Sequence, residues 1–283
     1  MATKKVASTK KKPVAKKPAT TKQTSTKVTT LKAVESRPVA KTAAVSATRG
    51  RRFGLMNTPL TAALVAEFVG TFAFAAVLIA GQGQPILALF ALAGIVLTVG
   101  TFSGGYVNPA LVIGAWVTKR MSGVRAVAYI VAQVLGAMLA LVVLNAFLSG
   151  VGAQATNAYS AAPSLFKAAA LPEGKEWFVF LAEFVGALIF SFAVAGALRE
   201  KVERTAKAFT VGLGVFLGLM VAGSVAAFYS AHAVLNPAVA ISLQAISFDT
   251  VWPVVVYVLG PVLGAVAGFG LYSALENAQK DVA

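Results

Sequence analysis

Few residues in this 283-residue chain are equipped for chemistry. It has no cysteine, which removes disulfides, thiolate nucleophiles and cysteine-held metals. It has one histidine, His232, so no imidazole cluster can form within one chain. No nucleophile–base pair stands out, and an enzyme is the least expected class. Neither a cofactor nor a metal is called for. Two motifs and two carboxylates remain. Asn108-Pro109-Ala110 and Asn236-Pro237-Ala238 are the same tripeptide, and Glu67 and Glu183 each lie in a long apolar run.

Each tripeptide is built to start a helix. Asn is a strong N-cap, and Pro is favoured at the first helical position because its missing N–H costs nothing there. A single copy is an ordinary cap or turn. Two copies, each followed by an apolar stretch, point to something specific. The stretch from Pro109 to Val117 stops at Lys119 and Arg120, and that from Pro237 to about Ser247 stops at Asp249. About ten residues at 1.5 Å each span about 15 Å, or half a bilayer core. Backbone at that depth is tolerated where it lines a cavity or is buried in protein. Two half-helices entering from opposite faces would meet at their N-termini. Their positive dipole ends would repel cations and protons. The amides of Asn108 and Asn236 could then each point a donor into the lumen, orienting a water and interrupting a proton wire.

Six longer elements must position these motifs. The chain is 58% hydrophobic with a mean hydropathy of +0.77. Apolar spans are expected near 59–80, 84–103, 124–147, 177–198, 208–229 and 251–275. Each is long enough to cross roughly 30 Å of hydrocarbon. The expected fold class is an all-α membrane protein with six transmembrane helices plus two re-entrant half-helices.

Charge divides the chain. Residues 1–52 hold 15 of the 25 Lys and Arg and one acid, Glu35, giving +14. This segment has no aromatic residue, and Leu31 is its one Leu. Such a segment cannot offset its ordering entropy and is expected to be a disordered basic tail. It could lie on anionic lipid, bind nucleic acid, direct targeting to a plastid, or remain a solvated extension. Residues 53–283 form the expected channel domain. Lys119, Arg120 and Arg125 fall between spans 2 and 3. Arg199, Lys201, Arg204 and Lys207 fall between spans 4 and 5. Opposite them, Lys167 and Lys175 are balanced by Glu173 and Glu176, with Asp249 nearby. The positive-inside rule places both termini in the cytoplasm, with the plasma membrane as the expected location.

The two halves of this domain, about 59–147 and 177–275, repeat one another. LVAEFVGTFAF at 64–74 aligns with FLAEFVGALIF at 180–190. VNPALVIG at 107–114 aligns with LNPAVAIS at 235–242. Tyr129 and Tyr257 each follow their Asn by 21 residues, and Gly136-Ala137 and Gly264-Ala265 by 28. Three spans per copy is an odd number, so the second copy must be inverted in the membrane. Gly260, Gly264 and Gly268, and Gly214 with Gly218, have the spacing of close helix packing.

At these residues the chain resembles the aquaporin, or major intrinsic protein, family. AEFVGTF, SGGYVNPA at 103–110, YIVAQVLGA at 129–137, LNPA at 235–238 and YVLGPVLGA at 257–265 carry the likeness. The resemblance implies a right-handed six-helix bundle, a homotetramer and one pore per subunit in the lipid bilayer. It implies that Glu67 and Glu183 are structural and accept hydrogen bonds from the re-entrant loops. The implied function is a passive channel for water and small neutral solutes.

The resemblance also marks four filter positions, and here the sequence departs. The position usually held by Arg is Val239. The span 5 position is Ser224, or Gly223 if the alignment slips by one. The third is Ala233. The span 2 position is Ala88 by counting, while Phe90 fits the local pattern. Ala233 and the NPAVA run are similar to plant tonoplast intrinsic proteins. A wider, more apolar filter follows, open to glycerol, urea, ammonia or peroxide. His232, four residues before Asn236, could line the outer mouth, respond to pH, or bond to loop backbone. Tyr106 stands where many relatives have His.

Two rivals differ in class. A secondary transporter also uses inverted repeats, with Glu67 or Glu183 as the coupling group. A membrane-anchored protein acting through a nucleic-acid-binding tail would leave the paired motifs unexplained.

Overall fold

A computed structural model describes residues 59–151, 165–198 and 202–280. The expected disorder of residues 1–52, and the charges Arg199 and Lys201, lie outside the described residues. Eight helices carry the described fold. In chain order they are α1 (Pro59–Ala80), α2 (Pro85–Ser103), α3 (Pro109–Val117), α4 (Gly123–Val151), α5 (Glu176–Ala197), α6 (Arg204–Ala227), α7 (Pro237–Ser242) and α8 (Trp252–Lys280). Six are long and apolar enough to cross a membrane. α3 and α7 are the two short ones.

The packing has the pattern of an inverted repeat. α1 packs on α4 as α5 packs on α8, and α2 meets α6 between the halves. The short helices cross over: α3 lies on α8 of the other repeat, and α7 on α4. Each half is therefore incomplete without its partner.

Small residues set the distances. A Cβ on Gly136 would stand 2.3 Å from the carbonyl oxygen of Phe68, and one on Gly264 would stand 2.2 Å from that of Phe184. These are equivalent points of the two repeats, where α4 crosses α1 and α8 crosses α5. The Gly that ends each AEFVG run serves the loops instead. A Cβ on Gly70 would meet Val107, and one on Gly186 would meet Leu235, each at 2.7 Å.

The second half-helix is shorter than its apolar run suggests. It ends at Ser242, not near Ser247, because the chain turns through a left-handed Gln244 at φ 57°. Span 5 begins at Arg204, earlier than expected, where the Glu203 side chain caps the helix by accepting from the Ala206 N–H. The backbone N–H groups at this cap hold the exposed Glu203 carboxyl below its usual range. α8 contains a π-helical turn at Val255–Leu259, just before Pro261. Pro261 has no N–H to give and its ring crowds the preceding turn, so a wider turn relieves the helix.

Overpacking at the tight crossings should be costly. Gly264→Val forces two backbones apart and should destabilise the bundle by about 1–3 kcal/mol. Thermal unfolding in detergent should show a lower midpoint than for Gly270→Val, since Gly270 has open space beside it. Equal midpoints would contradict the close approach.

Candidate functional site

The two Asn-Pro-Ala turns are brought together at the junction of the repeats. Each Asn caps its own half-helix with the side-chain oxygen. Asn108 Oδ1 accepts from the Ala110 N–H at 2.9 Å. Asn236 Oδ1 accepts from the N–H groups of Ala238 at 3.1 Å and Val239 at 3.4 Å. Each amide nitrogen then reaches across the pseudo-symmetry. Asn108 Nδ2 donates to the Leu235 carbonyl, and Asn236 Nδ2 donates to the Val107 carbonyl, both at 2.9 Å. An amide NH2 has two donors, so one N–H per Asn remains after this cross-link. Pro109, Ala110, Pro237 and Ala238 are buried at the starts of the half-helices.

Val107 and Leu235, the residues just before each Asn, have positive φ of 40° and 59°. That conformation is unfavourable for bulky side chains, above all a β-branched one. A buried carboxylate enforces it on each side. Glu67 accepts from the N–H groups of Tyr106 and Val107 at 3.0 and 2.8 Å. Glu183 accepts from those of Val234 and Leu235 at 2.6 and 2.8 Å. Both carboxylates are fully buried.

The clamps are not identical. Glu67 also receives the Gln133 amide at 2.6 Å, and Gln133 corresponds to Pro261 in the second repeat. Glu183 thus rests on two backbone donors among the described residues. The tyrosines that follow the motifs tie the loops down. Tyr129 donates to the Ser103 carbonyl and Tyr257 to the His232 carbonyl, at 3.0 and 3.2 Å.

The filter candidates scatter. A cavity of about 380 Å³ is lined by His232, Ala233 and Gly223 among others. Of the two alternatives for the span 5 position, Gly223 lines this cavity, whereas the Ser224 hydroxyl turns back to the Met220 carbonyl at 2.6 Å. Ala88 and Val239 are fully buried and do not line this cavity. Phe90 is 59% exposed on the outside of the bundle. Two residues of helix are about 200° of rotation. With Ala88 inside, Phe90 must face out, so it is no filter residue. Tyr106 is buried, its ring centroid 6.2 Å from that of Tyr129 in an edge-on arrangement.

His232 does bond to loop backbone. Its Nδ1 accepts from the Ala169 N–H at 2.9 Å, and the Phe166 ring stands edge-on to it at 4.9 Å. Burial pushes the imidazole below its usual range. The neutral ring is the form that can accept this bond. The bond is present above the ordinary imidazole range and is lost as pH falls through the lowered value. Sequence reasoning missed Phe166, which reaches the mouth from the segment joining the repeats and belongs to no motif.

Two inverted half-helices, cross-linked at their caps inside six spans, define a membrane channel. The family model for major intrinsic proteins matches residues 54–272. Nodulin-26 of Glycine max is 28% identical over 251 residues, covering 83% of this chain and 85% of its own length. Aquaporin AqpM of Methanothermobacter thermautotrophicus is 32% identical over 194 residues, covering 66% and 74%. Among solved structures, the aquaglyceroporin from Plasmodium falciparum shares the fold with a TM-score of 0.61 at 19% identity, over 79% of this chain and all of its own. The chain belongs to the major intrinsic protein family and is an integral membrane channel for passive passage of water and small solutes.

The clamps can be tested by truncation. Glu183→Ala leaves two buried N–H groups without an acceptor, at about 1–3 kcal/mol each. Glu67→Ala strands the N–H groups of Tyr106 and Val107 plus the Gln133 amide, so its unfolding midpoint in detergent should fall further. A midpoint unchanged in either variant would remove that carboxylate from its role.

Proposed function

We propose that the protein is a permissive pore, passing water together with small neutral solutes of the urea and glycerol class. The observation that carries this reading is Val239 following the second Asn-Pro-Ala, where an Arg would narrow the pore and repel cations. The other filter candidates, Ala88, Ala233 and Gly223, are likewise small and uncharged. Ammonia and peroxide fall in the same size range. The name of the archaeal relative, aquaporin AqpM, supports water as a permeant.

Exclusion of ions rests on the Asn pair. Each half-helix N-terminus turns its positive end toward the junction. The N–H left on Asn108 and on Asn236 orients a water so that it donates outward, away from its neighbours in the file.

The working unit is a homotetramer, with both termini in the cytoplasm of a cell at its plasma membrane. Lys119, Arg120, Arg125, Arg204 and Lys207 mark the cytoplasmic face by the positive-inside rule. Anionic lipid and nucleic acid are the partners that the charge of the basic tail suits. A coupled transporter needs a carboxylate free to exchange protons, and Glu67 and Glu183 are each engaged by backbone donors.

Val239→Arg tests the reading. In proteoliposomes the variant should lose urea and glycerol flux about tenfold relative to water, or ~1.4 kcal/mol of added barrier. An unchanged solute-to-water ratio by stopped-flow light scattering would contradict the role given to Val239.

A further inference from the structure

The outer mouth holds two rings that no Asn-Pro-Ala motif supplies. Among the described residues lining the cavity, the rings are Phe166 and His232, and the rest are small, aliphatic or neutral polar groups. Phe166 comes from the segment between the repeats and is held in place by three backbone bonds. Its own N–H donates to the Ile79 carbonyl at 3.3 Å, and the Ala168 N–H donates to the Leu243 carbonyl at 3.0 Å. The third is the Ala169 N–H on His232 Nδ1. The ring is seated over Gly83, whose φ is +66° and whose added Cβ would stand 2.6 Å from it.

His232 is fixed from behind. Tyr257 holds its carbonyl, and Glu183 holds the N–H groups of Val234 and Leu235 just beyond. Because Nδ1 accepts, the ring proton is on Nε2. No protein acceptor pairs with Nε2 among the described residues. The mouth therefore presents one apolar ring and one fixed donor at right angles, with an interplanar angle of 89°.

We propose that Phe166 and His232 together are a specificity-determining pair at the outer mouth, favouring planar carbonyl solutes of the urea class over polyols. A flat solute can lie along the Phe166 ring and accept from Nε2–H with its oxygen. A polyol has tetrahedral carbons and several hydroxyls, so it needs more width and more partners than one donor gives. This deepens the permissive-pore reading and rests on it.

Protonation gives a second handle. A proton on Nδ1 takes away the acceptor of the Ala169 N–H. His232 is held by Tyr257 and the Glu183 clamp, so the Phe166 segment is what gives way. The groups facing His232 are few. Tyr257 meets it by its hydroxyl, Glu183 lies beneath the next residues, and Lys167 in the same segment lines a second outer cavity with Glu173, Glu176 and Asp249. α1, α2 and α6 bring only uncharged residues to the cavity.

The test is the urea-to-glycerol permeability ratio of the full chain in proteoliposomes, with water flux measured alongside. In Phe166→Ala, Phe166→Leu and His232→Ala the ratio should fall about tenfold, the scale on which one small group is discriminated. In the wild type it should also fall when both sides are taken from roughly pH 7.5 to roughly pH 5, and His232→Ala should show no such pH response. A wild-type ratio that ignores pH, together with an unchanged ratio in Phe166→Leu, would overturn the pair. If the wild type passes urea and glycerol but the ratio is the same in Phe166→Ala, Phe166→Leu and His232→Ala, the pair falls and the permissive reading of Val239 stands. A wild type that passes neither solute overturns both.

Discussion

Two buried carboxylates hold the centre of this protein. Each turn before an Asn-Pro-Ala must run through a bulky residue in the left-handed region, Val107 or Leu235, where a side chain is unfavourable. The carboxylate of Glu67 or Glu183 collects the N–H of that residue and of the one before it, and leaves that residue's carbonyl pointing at the other repeat. That carbonyl receives the amide of the opposite Asn. Remove the carboxylate and the turn has no reason to keep its shape. Keep it, and the side-chain oxygen and nitrogen of both asparagines are assigned, one to a helix cap and one to the cross-link.

The rest of the fold brings those turns to one place. The glycines at 136 and 264 let α4 and α8 close on α1 and α5, and the glycines at 70 and 186 make room for Val107 and Leu235. The half-helices cross to the opposite repeat. Symmetry stops at the second layer. Gln133 braces Glu67, whereas Pro261 stands at the matching point and a π-helical turn accommodates it. The loop that carries His232 has a tie of its own, the Ala169 N–H on His232 Nδ1. The side of the pore where Glu183 has less support is thus the side where a further loop closes over it.

Most of this was legible in the sequence, for physical reasons. The spans follow from apolar runs, and the caps follow from Asn-Pro. The repeat is visible because both copies must solve the same geometric problem with the same residues. What the sequence hid is where side chains converge. The end of α7 depended on Gln244 taking a positive φ, which no local signal announced. Counting selected Ser224, but helix rotation brings Gly223 to the cavity. Phe90 matched a pattern yet sits on the wrong side of α2 from Ala88. Phe166 lies in a connecting segment with no motif, and only its contacts with His232 and Gly83 reveal it.

We propose that the paired asparagines pass water while breaking the proton file. Proteoliposomes carrying the full chain and a pH-sensitive dye measure both at once. Osmotic shrinkage should be fast and weakly temperature-dependent, with no proton entry above that of empty liposomes under an imposed pH gradient. Proton entry that rises with water flux, or no water flux from correctly inserted protein, would contradict it.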